Sequence, residues 1–279
     1  KFQKMKKNYS KTAVVLLLQF LFFVYHSFSQ APSWAWGRGV HATQGLHSAQ
    51  QIAADPAGNS YVVGHIELFC SADFGNGDTI SGRSAPFLVK YDQSGTVVWT
   101  RTLMGDIYAN WMLQRGAEIF FSVAVDSRGD VIVAGWSGSP YLVDGNDTLI
   151  TEGYSSFNAP SPGPDRYRIF MVKYDSQGNR KWWKTIPQSN DYPDVIDQRP
   201  YFLAVDSQDN IYMTGGIYAS GFPHYCYFGN DTLIDCNFTA KFDSSGNALW
   251  AKPVGGAGLS VDPFGKVVTT GDYFGYQPS

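Results

Sequence analysis

Apolar residues in this chain fall in short runs of β-branched and aromatic side chains, broken by residues that turn the backbone. Tyr201–Val205 and Ile211–Thr214 are representative, with Asp206, Ser207, Gln208, Asp209 and Asn210 between them. Side chains of this kind favour a pleated, half-buried strand, so each pair of runs predicts a β-hairpin. The pattern recurs as two alternating phrases. The first is an aliphatic run leading into Asp-x-x-Gly. It covers Ile52–Asn59, Val123–Asp130, Leu203–Asn210 and Leu259–Lys266, with turn residues Asp55 and Gly58, Asp126 and Gly129, Asp206, and Asp262 and Gly265. The second opens on Phe, passes through Lys, an aromatic residue and Asp-x-x-Gly, and closes on Trp. It covers Phe87–Trp99, Phe170–Trp182 and Phe238–Trp250, with Asp92 and Gly95, Asp175 and Gly178, and Asp243 and Gly246.

Asp at the first position of a turn, Pro or Ser at the second and Gly at the fourth mark a type I turn. Pro56 and Pro263 both stand second. Two hairpins per repeat give four antiparallel strands. The first-phrase aspartates are 71, 80 and 56 residues apart, too uneven for a rigid solenoid but suited to sheets joined by loops of variable length. The predicted fold is therefore all-β, a β-propeller of four-stranded antiparallel blades with about three and a half blades present.

The two phrases resemble the bacterial β-propeller repeats called SBBP repeats, found in secreted proteins of Bacteroidetes-like bacteria. The resemblance runs over residues 34–274. It implies the fold and export; the family has no shared active site to place on these residues. Asp209 departs from the pattern in the third repeat, where Gly is usual, and Lys266 replaces Asn in the fourth.

Residues 1–29 carry five lysines and no acidic residue, then an apolar run from Thr12 to Tyr25, then Ser27 and Ser29, which predicts a signal peptide cleaved before Gln30 and a repeat domain over 30–279. The apolar run is shorter than the roughly 20 residues a spanning helix needs. Met5, ahead of Lys6 and Lys7, reads as the natural start. Beyond residue 29 the chain has 16 basic and 24 acidic side chains, near −8, which argues against nucleic acid as a partner. An oxidising destination makes Cys226 and Cys236 a candidate disulfide, with Cys70 left over. No cofactor or metal ligand set is legible.

Trp34-Ala35-Trp36 matches the last-strand pattern at Trp99, Trp182 and Trp250 without a preceding hairpin half. It reads as the outer strand of a further blade. With three full repeats and a half repeat ending at Ser279, an incomplete ring truncated at its C-terminus is expected.

Alternating strand direction puts all the tight turns on one rim. The long connections, 68–85, 104–118, 137–168, 187–200 and 218–237, share the other rim, where ligand contacts are expected. They offer Tyr108, Trp111, Tyr154, Asp191, Tyr192, Asp194, His224 and Tyr225, aromatics beside carboxylates that suit carbohydrate or peptide. The function expected is a non-catalytic binding or structural module at the cell surface or beyond. The alternative is a propeller enzyme, a polysaccharide hydrolase or lyase, or a quinone-type dehydrogenase, whose repeats the Asp-x-x-Gly-Asn-x-x-Trp phrase also resembles. Thr79, Thr148 and Thr232 each follow Asp and precede an aliphatic residue. This resembles the O-glycosylation acceptor of exported Bacteroidetes proteins, against the simpler expectation of a turn entering a short strand.

Overall fold

A computed structural model describes residues 36–42, 47–66, 70–75, 77, 79–82, 85–105, 118–151, 166–188, 196–219 and 223–271. The expected signal peptide lies outside them. Lys1–Gly37 and Arg38–Ser279 are separate compact units. The second unit carries the described strands, in chain order β1 (His41–Ala42), β2 (His47–Ala54), β3 (Ser60–Ile66), β4 (Cys70–Asp73), β5 (Thr79–Gly82), β6 (Ala85–Tyr91), β7 (Val97–Thr102), β8 (Glu118–Val125), β9 (Val131–Ser137), β10 (Tyr141–Asp144), β11 (Asp147–Ile150), β12 (Arg166–Tyr174), β13 (Arg180–Thr185), β14 (Ile196–Val205), β15 (Ile211–Ala219), β16 (Tyr225–Phe228), β17 (Asp231–Ile234), β18 (Asn237–Phe242), β19 (Ala248–Lys252), β20 (Gly258–Val261) and β21 (Val267–Thr270).

The phrases build blades. One blade is β2-β3-β6-β7, the second β8-β9-β12-β13, the third β14-β15-β18-β19, each antiparallel throughout, and β20-β21 is a fourth hairpin of the same kind. The fold is thus all-β, with four-stranded propeller-type blades in series. One buried cluster fills the gap between the first two blades, around Val63, Leu88, Trp99, Val133, Phe170 and Tyr174. A second fills the next gap, around Ile132, Met171, Met213, Ile217, Phe228 and Phe238. β9 and β15 are buried on both faces, which accounts for continuous apolar runs such as Val131–Ala134.

Every tight turn uses the same local chemistry. The fourth residue donates its N–H to the Asp carbonyl, as Gly58 does to Asp55 and Gly178 to Asp175, both at 2.9 Å. The Asp carboxylate accepts from the backbone beyond, as at Asp206, whose Oδ1 takes the N–H groups of Gln208 and Asn210. The fourth position has a left-handed backbone, φ +77° to +82° at Gly58, Gly95, Gly129, Gly246 and Gly265, so Gly is favoured there. Asp209 keeps the turn at φ +62°. Its carboxylate is engaged, accepting the backbone N–H of Ser127 in the preceding blade at 2.9 Å.

Two irregularities repeat with the blades. Each first strand carries a bulge, at Gln50, Phe121 and Tyr201, opposite a glycine of the second strand, Gly64, Gly135 and Gly215. Phe87, Phe170 and Phe238 of the third strands lie across from those glycines and lay their rings over them. A Cβ on Gly135 would collide with the Ile119 carbonyl oxygen and come within 2.7 Å of the Phe170 ring. The close approach therefore requires Gly. A further bulge in each fourth strand leaves Val98, Lys181 and Leu249 unpaired.

The connections between second and third strands hold short hairpins, β4-β5, β10-β11 and β16-β17. In the last two, Gly145 and Gly229, at φ +62° and +63°, take the first position of a two-residue loop, the geometry a type II′ turn needs. Each hairpin receives the chain leaving the preceding fourth strand. Met104 bridges to Val143, Gln188 to Cys226, and β1 pairs with β4. Arg38 donates to Gly95 O at 2.7 Å as Arg101 donates to Gly178 O at 2.5 Å. Arg38 thus docks on the first blade as Arg101 docks on the second.

Candidate functional site

The tight-turn rim is a dense structural lattice. Trp99 and Lys90 of the first blade both donate to Ser176 O in the second, at 3.1 and 2.8 Å, and Trp182 donates to Ser244 O in the third at 3.2 Å. Buried Lys173 reaches Asp126 Oδ2 at 2.7 Å, and Asp130 Oδ2 receives Lys181 at 2.7 Å. Burial pushes the Asp126 carboxyl upward, but the bonds from Lys173, Arg128 and the Asp130 N–H outweigh it and hold it below the usual carboxylate range. These charges satisfy one another.

The opposite rim has a different character. Side chains at the bulges and at the bases of the long connections turn rings and hydroxyls outward. Trp136 packs edge-on against Tyr167 with centroids 4.3 Å apart, and Phe121 stands 6.3 Å from Trp136. In the next blade the hydroxyls of Tyr201 and Tyr218 are 2.8 Å apart, and Tyr218 donates to Asn237 Oδ1 at 2.6 Å. Tyr201, Phe202, Tyr218, Asn237, Gly256, Ala257 and Gly271 line an open cleft of about 330 Å³. Its floor is aromatic, one wall is a hydroxyl–amide chain, and the other is bare backbone at the glycines. Such a cleft can stack a flat apolar face and direct hydrogen bonds to hydroxyls.

The sequence points to this rim through loop-tip residues, whereas the cleft is built from strand ends. Tyr108, Trp111, Tyr154, Asp191, Tyr192 and Asp194 lie outside the described residues. His224 is 5 % exposed, with its backbone N–H on Asp235 Oδ1 at 3.3 Å, so the ring expected to face a ligand is buried instead. Tyr225 stays exposed on β16. Phe121, Trp136, Tyr201 and Tyr218 carried no sequence signal beyond strand propensity; at Phe121 and Tyr201 a bulge turns a strand residue outward without a fixed motif.

The expected disulfide is not formed: Cys226 and Cys236 are buried free thiols, and Cys70 is buried on β4. Burial pushes the Cys226 thiol up to about 12 and the Cys236 thiol up to about 11, and Gln198 Nε2 donates to Cys226 Sγ at 2.9 Å. Thr79, Thr148 and Thr232 are exposed on the second strand of each inserted hairpin. Their neighbours have packing roles. Ile80 and Leu233 are buried, and Asp231 Oδ2 accepts the Ala251 N–H at 2.8 Å.

Glu118, Ser137 and Arg168 stand side by side across three strands, but the row is sealed from solvent. Among the described residues, no three His, Cys, Asp or Glu side chains converge to hold a metal ion, and no helix is long and apolar enough to cross a membrane.

No family model matches this chain. It is 24 % identical over 198 residues to an uncharacterized WD repeat-containing protein of Acanthamoeba polyphaga mimivirus, covering 66 % of this chain and 12 % of that protein. Among solved structures, a Hadza microbial sialidase aligns over 70 % of this chain and 41 % of its own, with 10 % identity and a TM-score of 0.37.

Proposed function

We propose that this protein is a non-catalytic binding module, exported from its cell, that holds carbohydrate on the rim of long connections. The observation that carries the reading is the aromatic cleft between the third blade and the fourth hairpin. There Tyr201, Tyr218 and Asn237 form a continuous hydrogen-bonded edge beside exposed ring faces. A pyranose ring presents an apolar face for stacking and equatorial hydroxyls for such an edge. Export rests on the basic and then apolar character of residues 1–29. The acidic balance of the remaining chain disfavours polyanionic partners.

The test is a panel of immobilised polysaccharides and oligosaccharides probed with the purified protein. Saturable binding to a subset is expected, with at least a tenfold loss in Tyr218→Ala at unchanged melting temperature. Silence across the panel, or release of shortened sugars, would contradict the reading.

A further inference from the structure

The ring pair in the cleft of the third blade has a counterpart one blade back. Phe121 and Tyr201 are the bulged residues of β8 and β14, unpaired in their ladders. Trp136 follows Gly135 as Gly216 follows Gly215. A Cβ on Gly216 would come within 2.7 Å of Tyr218 Cζ, so the Tyr218 ring folds back over the place from which the Trp136 side chain starts one blade earlier. Both blades thus set a bulge ring against a second-strand ring. Phe121 and Trp136 have centroids 6.3 Å apart, and Tyr201 and Tyr218 meet through their hydroxyls at 2.8 Å.

The two pairs stand on adjoining strands. Leu203 donates its backbone N–H to Ser122 Oγ at 2.7 Å. Ser122 directly follows Phe121, and Leu203 lies two residues beyond Tyr201. The second blade is packed on both faces, through Val133 and Phe170 on one side and Ile132 and Met171 on the other, yet Phe121 and Trp136 are only half-buried. Tyr167 braces Trp136 edge-on at 4.3 Å. The first blade ends the series, with Gln50 at its bulge and His65 after Gly64.

We infer that the carbohydrate on this rim is a linear chain held along its interior across the third and second blades, with one pyranose on Tyr201 and Tyr218 and a later one on Phe121 and Trp136. This rests on the carbohydrate reading above and narrows it to a ligand class. Sheets packed face to face stand about 10 Å apart, so a single pyranose ring cannot cover both pairs. A chain that reaches the second pair adds a stacking contact without losing its translational freedom a second time. The hydroxyl chain of Tyr201 and Tyr218 reads the hydroxyl pattern of one sugar. Phe121 and Trp136 bring no hydroxyl and read the flat face of another.

The test titrates the full chain, by calorimetry, with the disaccharide and the hexasaccharide of a polysaccharide that the immobilised panel retains. The hexasaccharide should bind about tenfold or more tightly than the disaccharide, beyond the gain of about threefold that extra binding registers give a longer chain. Phe121→Leu keeps an apolar strand residue without a ring and should reduce the ratio to about threefold or less. Trp136→Leu should do the same, and Phe121→Tyr, which restores a ring as at Tyr201, should keep the parent ratio. Because each variant is read as a ratio of two ligands on one protein, a change in folded fraction cancels. Equal affinity for the two fragments, or a ratio that neither leucine variant moves, would overturn the chain inference and leave the carbohydrate reading standing. A panel that retains nothing would overturn both.

Discussion

The indole N–H of Trp99 donates to the carbonyl oxygen of Ser176 at 3.1 Å, joining the last strand of one blade to a tight turn of the next across 77 residues of sequence. Trp182 and Ser244 repeat the relationship one blade on. Two glycines complete each joint. Gly178 abuts Trp99 and Gly246 abuts Trp182, so each turn glycine provides both a left-handed backbone and a bare surface for the indole. Trp99→Ala should therefore cost about 3–5 kcal/mol of unfolding free energy, whereas Trp99→Phe, which keeps most of the ring and loses the hydrogen bond, should cost about 1 kcal/mol. Urea denaturation of the two variants checks the ordering.

The glycine beneath each third-strand phenylalanine is constrained by space alone. In Gly135→Ala the added methyl meets both the Ile119 carbonyl and the Phe170 ring. A loss of about 3 kcal/mol or more is expected, as for severe overpacking. Adding Phe170→Leu should restore little of it, because the nearer clash is with backbone. Thermal melts of the single and double variants decide this.

At Asp209 a left-handed backbone, which costs a non-glycine residue about 1–2 kcal/mol, coexists with a carboxylate bound to Ser127 of the preceding blade. Asp209→Ala keeps the strain and loses the contact, and should destabilise by about 1–2 kcal/mol. Asp209→Gly loses the contact and relieves the strain, so it should fall within about 1 kcal/mol of the parent. Equal losses in the two variants would show that the backbone carries no strain there.

Acid should loosen the turns. At Asp55, Asp175, Asp206 and Asp243 burial pushes the carboxyl upward, but hydrogen bonds from the paired asparagine and the backbone prevail and hold it below the ordinary value. A carboxyl depressed in the folded state stabilises fully above its unfolded value near 4, and that stabilisation is lost as pH falls through the folded values. The melting temperature should drop steeply below about pH 4, and Asp206→Asn should flatten its share of that slope.

Thiol chemistry separates packing from bonding at Cys226 and Cys236. As buried thiols raised to about 12 and about 11, both should resist a thiol reagent in the folded protein at pH 8 and react once guanidinium unfolds the chain. Cys226 and Cys236 both unreactive in the unfolded, unreduced chain would instead mean a disulfide.

The blades were legible in the sequence because a tight turn is local: Asp, its i+1 partner and Gly act within four residues, and the flanking runs declare the strands. Asp209 shows the limit of that logic, since its turn survives without Gly through a contact with Ser127, far away in sequence. Of the inserted hairpins, the sequence shows the second half, a turn entering a short strand at Thr79, Thr148 and Thr232, as found in β5, β11 and β17; their first strands, β4, β10 and β16, were hidden in connections read as loops. The Lys173–Asp126 pair spans 47 residues and becomes visible only once third strands lie beside first-phrase turns. For the candidate site, the long connections mark a rim in the sequence, but the residues of the cleft stay hidden. Phe121 and Tyr201 face outward because of bulges, and His224 is buried because β16 folds back over the blade core.

Carbohydrate binding in the cleft on the rim of long connections is tested most directly by titrating Tyr201→Phe and Tyr218→Phe with an oligosaccharide found in the binding panel. Each variant keeps its ring and breaks the hydroxyl chain that runs to Asn237 along the cleft. A clear loss of affinity in both variants, with the fold intact by melting temperature, is the expected result. Parent-like affinity in both would place the ligand elsewhere and contradict binding in this cleft.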